Sequence, residues 1–227
     1  MVLTLVGGII LGFFSVSLAL ELLRRTGIPG FRSVYDTGSV LLATVSFHGV
    51  AVVAFFLFLK VHHISWREIS GLETTRWQRQ LLLIAVALGA ALPVMFGLKF
   101  ASEWLMHQFG WTVEDQGAVQ VILNARSVGI KIYLGFFTVV MAPLAEEFVF
   151  RGLLFSSAKK LGWPVSGWIL VSLLFALIHA SAPIFLPLFV FALALTWLYE
   201  KTEGLLAPVV AHSLFNAANV IVLFFST

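Results

Sequence analysis

The chain has 227 residues, 60% of them hydrophobic and only 11% charged, with a formal charge of +3 and a mean hydropathy of +1.01. A soluble domain is nearer half apolar and a quarter charged, so this composition excludes one and fits a polytopic membrane protein. The absence of cysteine excludes disulfides, thiolate metal ligands and a thiol nucleophile. The 14 Lys and Arg are scattered rather than gathered on one face, which argues against nucleic acid as a partner and fits loops facing lipid headgroups.

A membrane-spanning helix needs about 20 mostly apolar residues. Seven stretches qualify in the sequence: roughly 3–22, 38–60, 80–99, 129–157, 165–181, 184–199 and 205–225. The predicted fold is therefore all-α, a transmembrane helical bundle of about seven spans forming a single integral membrane domain over 1–227. The first span lacks a basic n-region and a small-residue cleavage site, so it reads as retained rather than as a signal peptide. Its Gly8 and Gly12 have the spacing of a close helix contact.

Between the first two spans lies "VYDTGS", residues 34–39, which contains the DTGS string of pepsin-like aspartic proteases. Those enzymes need two carboxylates sharing a proton. The only aspartates here are Asp36 and Asp115, both outside the spans, so the string reads as an ordinary turn. The 61–79 connection carries Trp66 and Trp77 among charges, the composition of an interfacial helix. The 100–128 connection carries Glu103, Glu114 and Asp115 and reads as surface.

The fourth span breaks the apolar pattern with "LAEEFVFRG", residues 144–152. With Lys131 and Lys159 bracketing the span, Glu146 lies about 22 Å from one and about 20 Å from the other along the helix. Each ionised side chain at that depth costs roughly 2.5–3.5 kcal/mol, so Glu146, Glu147 and Arg151 mark a functional site. Glu147 and Arg151 are four apart and share a face, which lets them pair as structural support. Glu146 is turned about 100° away and points to a working cavity. Pro143 loosens the helix and is expected to free the carbonyl of Val139.

The fifth span contains "FALIHA", with Phe175 and His179, and the seventh "AHSLFNAAN", with His212 and Asn216. On the same ruler all fall about 16–24 Å from one membrane face, near the level of Glu146. His212 and Asn216 are four apart and Asn219 continues their stripe.

Together "EEFVFRG", "FALIH" and "HSLFN" give EExxxR, FxxxH and HxxxN in order. This pattern resembles the CPBP family of intramembrane proteases (CAAX proteases and bacteriocin-processing enzymes, also called the Abi family), whose members include proteins similar to the Ras-converting CAAX endopeptidase. The resemblance covers about 130–225, the expected catalytic core. It implies an intramembrane endopeptidase acting on a membrane-associated peptide or protein, with prenylated CAAX tails as one substrate class. Glu146 would activate water with His179, and His212 and Asn216 would stabilise the oxyanion or help hold a metal. Glu147, Arg151 and Phe175 would support them.

The cofactor stays open. Glu146, His179 and His212 could make a three-ligand zinc site, yet no HExxH pair is present and a metal-free glutamate mechanism suits the same residues. Two rival readings share the composition. Intramembrane Glu, Arg and His also build proton-coupled transporters, although a transporter more often shows repeat symmetry between its halves. A non-catalytic scaffold or bacteriocin-immunity factor would keep the fold without hydrolysis. The loop charges divide seven to six and do not orient the chain; the resemblance implies a site facing the cytoplasm of a bacterial plasma membrane.

Overall fold

The computed structural model describes residues 15, 18–29, 32, 37–44, 48–113, 117–125, 127–179 and 181–225. Most of the first predicted span, and Asp36 and Asp115, lie outside them. Among the described residues four helices are long and apolar enough to cross a membrane: Trp77–Gln108, Val128–Lys160, Phe185–Thr202 and Leu206–Phe225. They correspond to the third, fourth, sixth and seventh predicted spans. The protein is a helical membrane protein.

Two further apolar helices, Val50–Val61 and Pro164–Ile178, are shorter. They fall on the second and fifth predicted spans, and the second is preceded by a separate helix, Thr37–Thr44. The Trp77–Gln108 helix runs nine residues past the predicted end at 99. Lys99 at that predicted end and Glu103 beyond it form an i,i+4 ion pair.

The chain divides into two compact units. One comprises Met1–His63, Ala118–Val149 and Ser213–Thr227, the other Ile64–Gly117 and Phe150–His212.

In the second unit the Phe185–Thr202 helix packs along both Trp77–Gln108 and Pro164–Ile178. The buried face of Trp77–Gln108 is Gln80, Ile84, Ala87, Ala91 and Met95, a stripe at helical spacing. Leu82, Val86, Phe96 and Phe100 face outward. Ala87 and Ala91 at the centre of the inward stripe are the small residues that let helices approach closely in lipid.

The 64–76 connection is anchored to the turn after Thr202. Ser65 caps the short Trp66–Ser70 helix by accepting the Glu68 N–H, and Gly71 ends it at φ +75°, a conformation open to glycine. The Leu205 N–H donates to the Ile69 carbonyl at 2.8 Å, and the Thr74 hydroxyl donates to the Thr202 carbonyl at 3.1 Å. The two segments cross so closely that a Cβ on Gly204 would lie 2.2 Å from the Gly71 nitrogen. The interfacial helix expected in 61–79 is thus a five-residue turn clamped to its neighbour.

In the first unit Val50–Val61 packs on Ala142–Glu147. The buried rings of Phe55 and Phe148 meet with centroids 4.7 Å apart. Ile122, Leu134 and Val220 form a second apolar cluster. The helix beginning at Val128 is regular only in part. Phe137–Met141 and Phe148–Phe155 are π-helical, and Ala142–Glu147 between them is α-helical. Such π turns inside α-helices occur frequently at functional sites.

Candidate functional site

In the first unit Glu146 and Glu147 end the α-helical segment between the two π turns. Glu147 is fully buried. Glu146 retains 14% side-chain exposure, and its Oε1 lies 3.9 Å from the Nε2 of His48. Pro143 explains part of this backbone. The Ala142 N–H bonds the carbonyl of Phe137, five residues back. In that register the donor for the Thr138 carbonyl would be residue 143, and proline has no N–H. The Asn216 side-chain amide replaces it, donating to the Thr138 oxygen at 2.8 Å. The expectation that Pro143 frees Val139 is corrected by one residue, because the π turn shifts the hydrogen-bond register from four to five.

The second unit holds Arg151, Phe175, His179 and His212, and it gathers them around one ring. The Arg151 guanidinium lies 5.1 Å from the Phe175 centroid, within cation–π range. The imidazole centroids of His179 and His212 lie 4.7 Å and 5.7 Å from it, and Phe150 meets it edge-on at 5.1 Å. Phe175 is 1% exposed, so this hub is packed rather than merely adjacent.

Arg151 is fully buried and reaches the Phe185–Thr202 helix. A guanidinium N–H donates to the Ala192 carbonyl at 2.8 Å, and Nε–H donates to the Thr196 hydroxyl at 3.3 Å. Thr196 in turn donates to the same Ala192 carbonyl at 2.9 Å. These partners lie more than forty residues along the chain and have no sequence motif to announce them.

His179 follows the last residue of Pro164–Ile178, and its Nδ1 lies 2.7 Å from the Phe175 carbonyl oxygen. A carbonyl can only accept, so Nδ1 carries a proton, and in the neutral ring the lone pair is then on Nε2. His212 is 4% exposed and stands edge-on to both Phe175 and Phe191, the latter at 5.4 Å.

A carboxylate and two imidazoles form a donor set that zinc accepts, and metal-bound histidines are commonly held through the other ring nitrogen, as His179 is. Within either unit, however, no three His, Asp or Glu side chains among the described residues gather as a metal-ligand group.

One residue escaped the motif reading. His48 lies inside the second predicted span, and an ionisable residue at membrane depth was the available signal.

Residues 128–218 match the family model described as type II CAAX prenyl endopeptidase Rce1-like. Over those residues this chain is similar to the CPBP family. UPF0177 protein YxdF of Lactococcus lactis subsp. lactis (strain IL1403) is 32% identical over 80 residues, covering 34% of this chain and 42% of the relative. Membrane-embedded CAAX protease MroQ of Staphylococcus aureus (strain USA300) is 27% identical over 227 aligned positions, covering 94% of this chain and 86% of the relative. The chain thus spans less than half of the first relative's length and most of the second's. No solved structure matches. That similarity and the apolar helices make this chain an integral membrane protein. All three motifs fall inside the matched residues, and His48 lies outside them.

Proposed function

We propose that this protein is an intramembrane endopeptidase that hydrolyses a peptide bond in a membrane-associated peptide or protein. The observation that carries the reading is the Nδ1 contact of His179 with the Phe175 carbonyl. In the neutral ring it leaves Nε2 to accept a hydrogen bond from the attacking water and so orient that water beside its base.

In the proposed reaction Glu146 and His179 Nε2 accept from the two hydrogens of one water. As the water oxygen attacks the carbonyl carbon of the scissile bond, its proton passes to the Glu146 carboxylate. His212 and Asn216 donate to the oxyanion that forms. Asn216 has a donor for this, because its amide nitrogen bears two hydrogens and the Thr138 carbonyl takes one. Collapse of the tetrahedral species breaks the C–N bond, and Glu146 returns the proton to the departing amine. Glu147, Arg151 and Phe175 hold the parts in place.

The catalytic stretch in this reading is about 130–225 of one membrane domain, with its site facing the cytoplasm of a bacterial plasma membrane. A CAAX-type prenylated tail is one substrate class, motivated by the family description.

The test is Glu146→Gln in purified, reconstituted protein with membrane-anchored peptides as substrate. Gln keeps the shape and removes the base, so kcat should fall about 10²–10⁴-fold with folding intact. A variant retaining more than about a tenth of wild-type kcat overturns the assignment.

A further inference from the structure

We infer that His48 is a positioning residue for Glu146, an inference that rests on the reading of Glu146 as the general base. Its Nε2 faces the Glu146 Oε1 at 3.9 Å, with the two side chains 18% and 14% exposed. The contact joins two parts of the chain almost a hundred residues apart, and His48 lies outside the residues that the family model matches.

The backbone on both sides is fixed. His48 and Gly49 are π-helical and lead directly into Val50–Val61. That helix packs on Ala142–Glu147 through Phe55 and Phe58, whose rings lie 4.7 Å and 5.9 Å from that of Phe148. Phe55 and Phe148 are each 1% exposed. The His48 ring itself meets Phe137 edge-on, centroids 6.5 Å apart. His48 is thus aimed at Glu146 by the helix packing.

A distance of 3.9 Å is ion-pair range and longer than a hydrogen bond. The terminal torsion of glutamate is broad and soft, so rotation of the carboxylate closes the gap without moving either helix. Catalytic hydrogen bonds commonly tighten in this way when substrate arrives. The imidazole acts here as an Nε2–H donor. It holds one carboxylate oxygen and leaves the other for water, as an orienting third group does for a base elsewhere. A glutamate has three side-chain torsions, and a misplacement of about 1 Å can cost on the order of 10²-fold in rate.

The experiment compares His48→Ala, His48→Gln, Glu146→Gln and the His48→Ala/Glu146→Gln double variant. All are reconstituted full-length with a membrane peptide that the wild type cleaves. His48→Ala should lower kcat about 10–10²-fold with KM within about twofold. His48→Gln, which keeps an amide N–H near the Nε2 position, should recover most of the loss. On the Glu146→Gln background, His48→Ala should cost nothing further, because the group it positions is gone.

A second measurement needs no substrate: the His48 Nε2 resonance in 15N spectra should move when Glu146 becomes Gln. Wild-type kcat in His48→Ala, a loss that adds fully to that of Glu146→Gln, or an unmoved resonance would each overturn the inference. Glu146→Gln retaining activity overturns the underlying reading instead, and the resonance then still decides whether the contact exists.

Discussion

The Asn216 amide donates to the Thr138 carbonyl at 2.8 Å, and in the π register that carbonyl is the one whose donor Pro143 removes. A residue proposed for the oxyanion therefore also holds the helix that carries Glu146. An unsatisfied buried carbonyl costs about 1–3 kcal/mol, so Asn216 has two separable effects.

Asn216→Ala should lower kcat about 10²–10³-fold, as loss of an oxyanion donor does, and should also lower thermal stability. Pro143→Ala supplies an N–H for the Thr138 carbonyl. The Pro143→Ala/Asn216→Ala double variant should therefore regain stability and stay inactive. Thermal unfolding in detergent and kcat on the same preparations check this. Activity returning with stability would show that Asn216 acts only through the helix.

Arg151 is fully buried among the Ala192 carbonyl, the Thr196 hydroxyl and the Phe175 ring, and Glu147 stands four residues earlier in sequence, the spacing of an ion pair on a helix. Removing one partner of a buried pair costs about 3–5 kcal/mol, whereas replacing both with apolar residues of similar volume is often near neutral. Glu147→Leu and Arg151→Met should each reduce folded yield more than the double change does. Singles that express normally but are inactive would move the pair into the chemistry.

The Gly71–Gly204 crossing gives a prediction confined to stability. A Cβ on Gly204 would meet the Gly71 nitrogen at 2.2 Å and the Ser70 carbonyl carbon at 2.3 Å. Neither is a flexible side chain that can swing aside. Gly204→Ala should destabilise by about 1–3 kcal/mol, the usual cost of overpacking. Gly97→Ala, which meets nothing within 4 Å, is the control and should leave the unfolding temperature unchanged or higher. Unfolding temperatures of the two variants in one detergent decide it.

Hydropathy made the long helices readable because lipid selects for apolar length. It marked Trp77–Gln108, Val128–Lys160, Phe185–Thr202 and Leu206–Phe225 with errors only at their ends. The motif residues were readable because charge at membrane depth is costly. The register of the fourth helix was not. Pro143 announces a break, but whether Thr138 or Val139 loses its donor depends on a π turn that periodicity does not encode. The partners of Arg151 were hidden for another reason: Ala192 offers only its backbone carbonyl, and Thr196 is an unremarkable residue in an apolar run. His48 is a lone histidine with no motif partner, and only the fold sets it beside Glu146.

The last prediction concerns His212 and metal. His212 is held edge-on to Phe175 and Phe191, centroids 5.7 Å and 5.4 Å away, with 4% of its surface exposed. An imidazole ring carries an N–H that can donate. In the proposed reaction that N–H meets the oxyanion. His212→Ala should then lower kcat about 10²–10³-fold with KM little changed, because the contact strengthens only in the transition state. Chelators should leave wild-type kcat unaltered, and elemental analysis should find no stoichiometric metal in wild type or variant. The zinc alternative makes opposite demands on the same samples. Glu146, His179 and His212 would then be ligands, chelation would abolish activity, added zinc would restore it, and His212→Ala would lose the bound metal. Zinc-restored activity in the wild type, together with metal-free His212→Ala, would replace the oxyanion role of His212 with ligation.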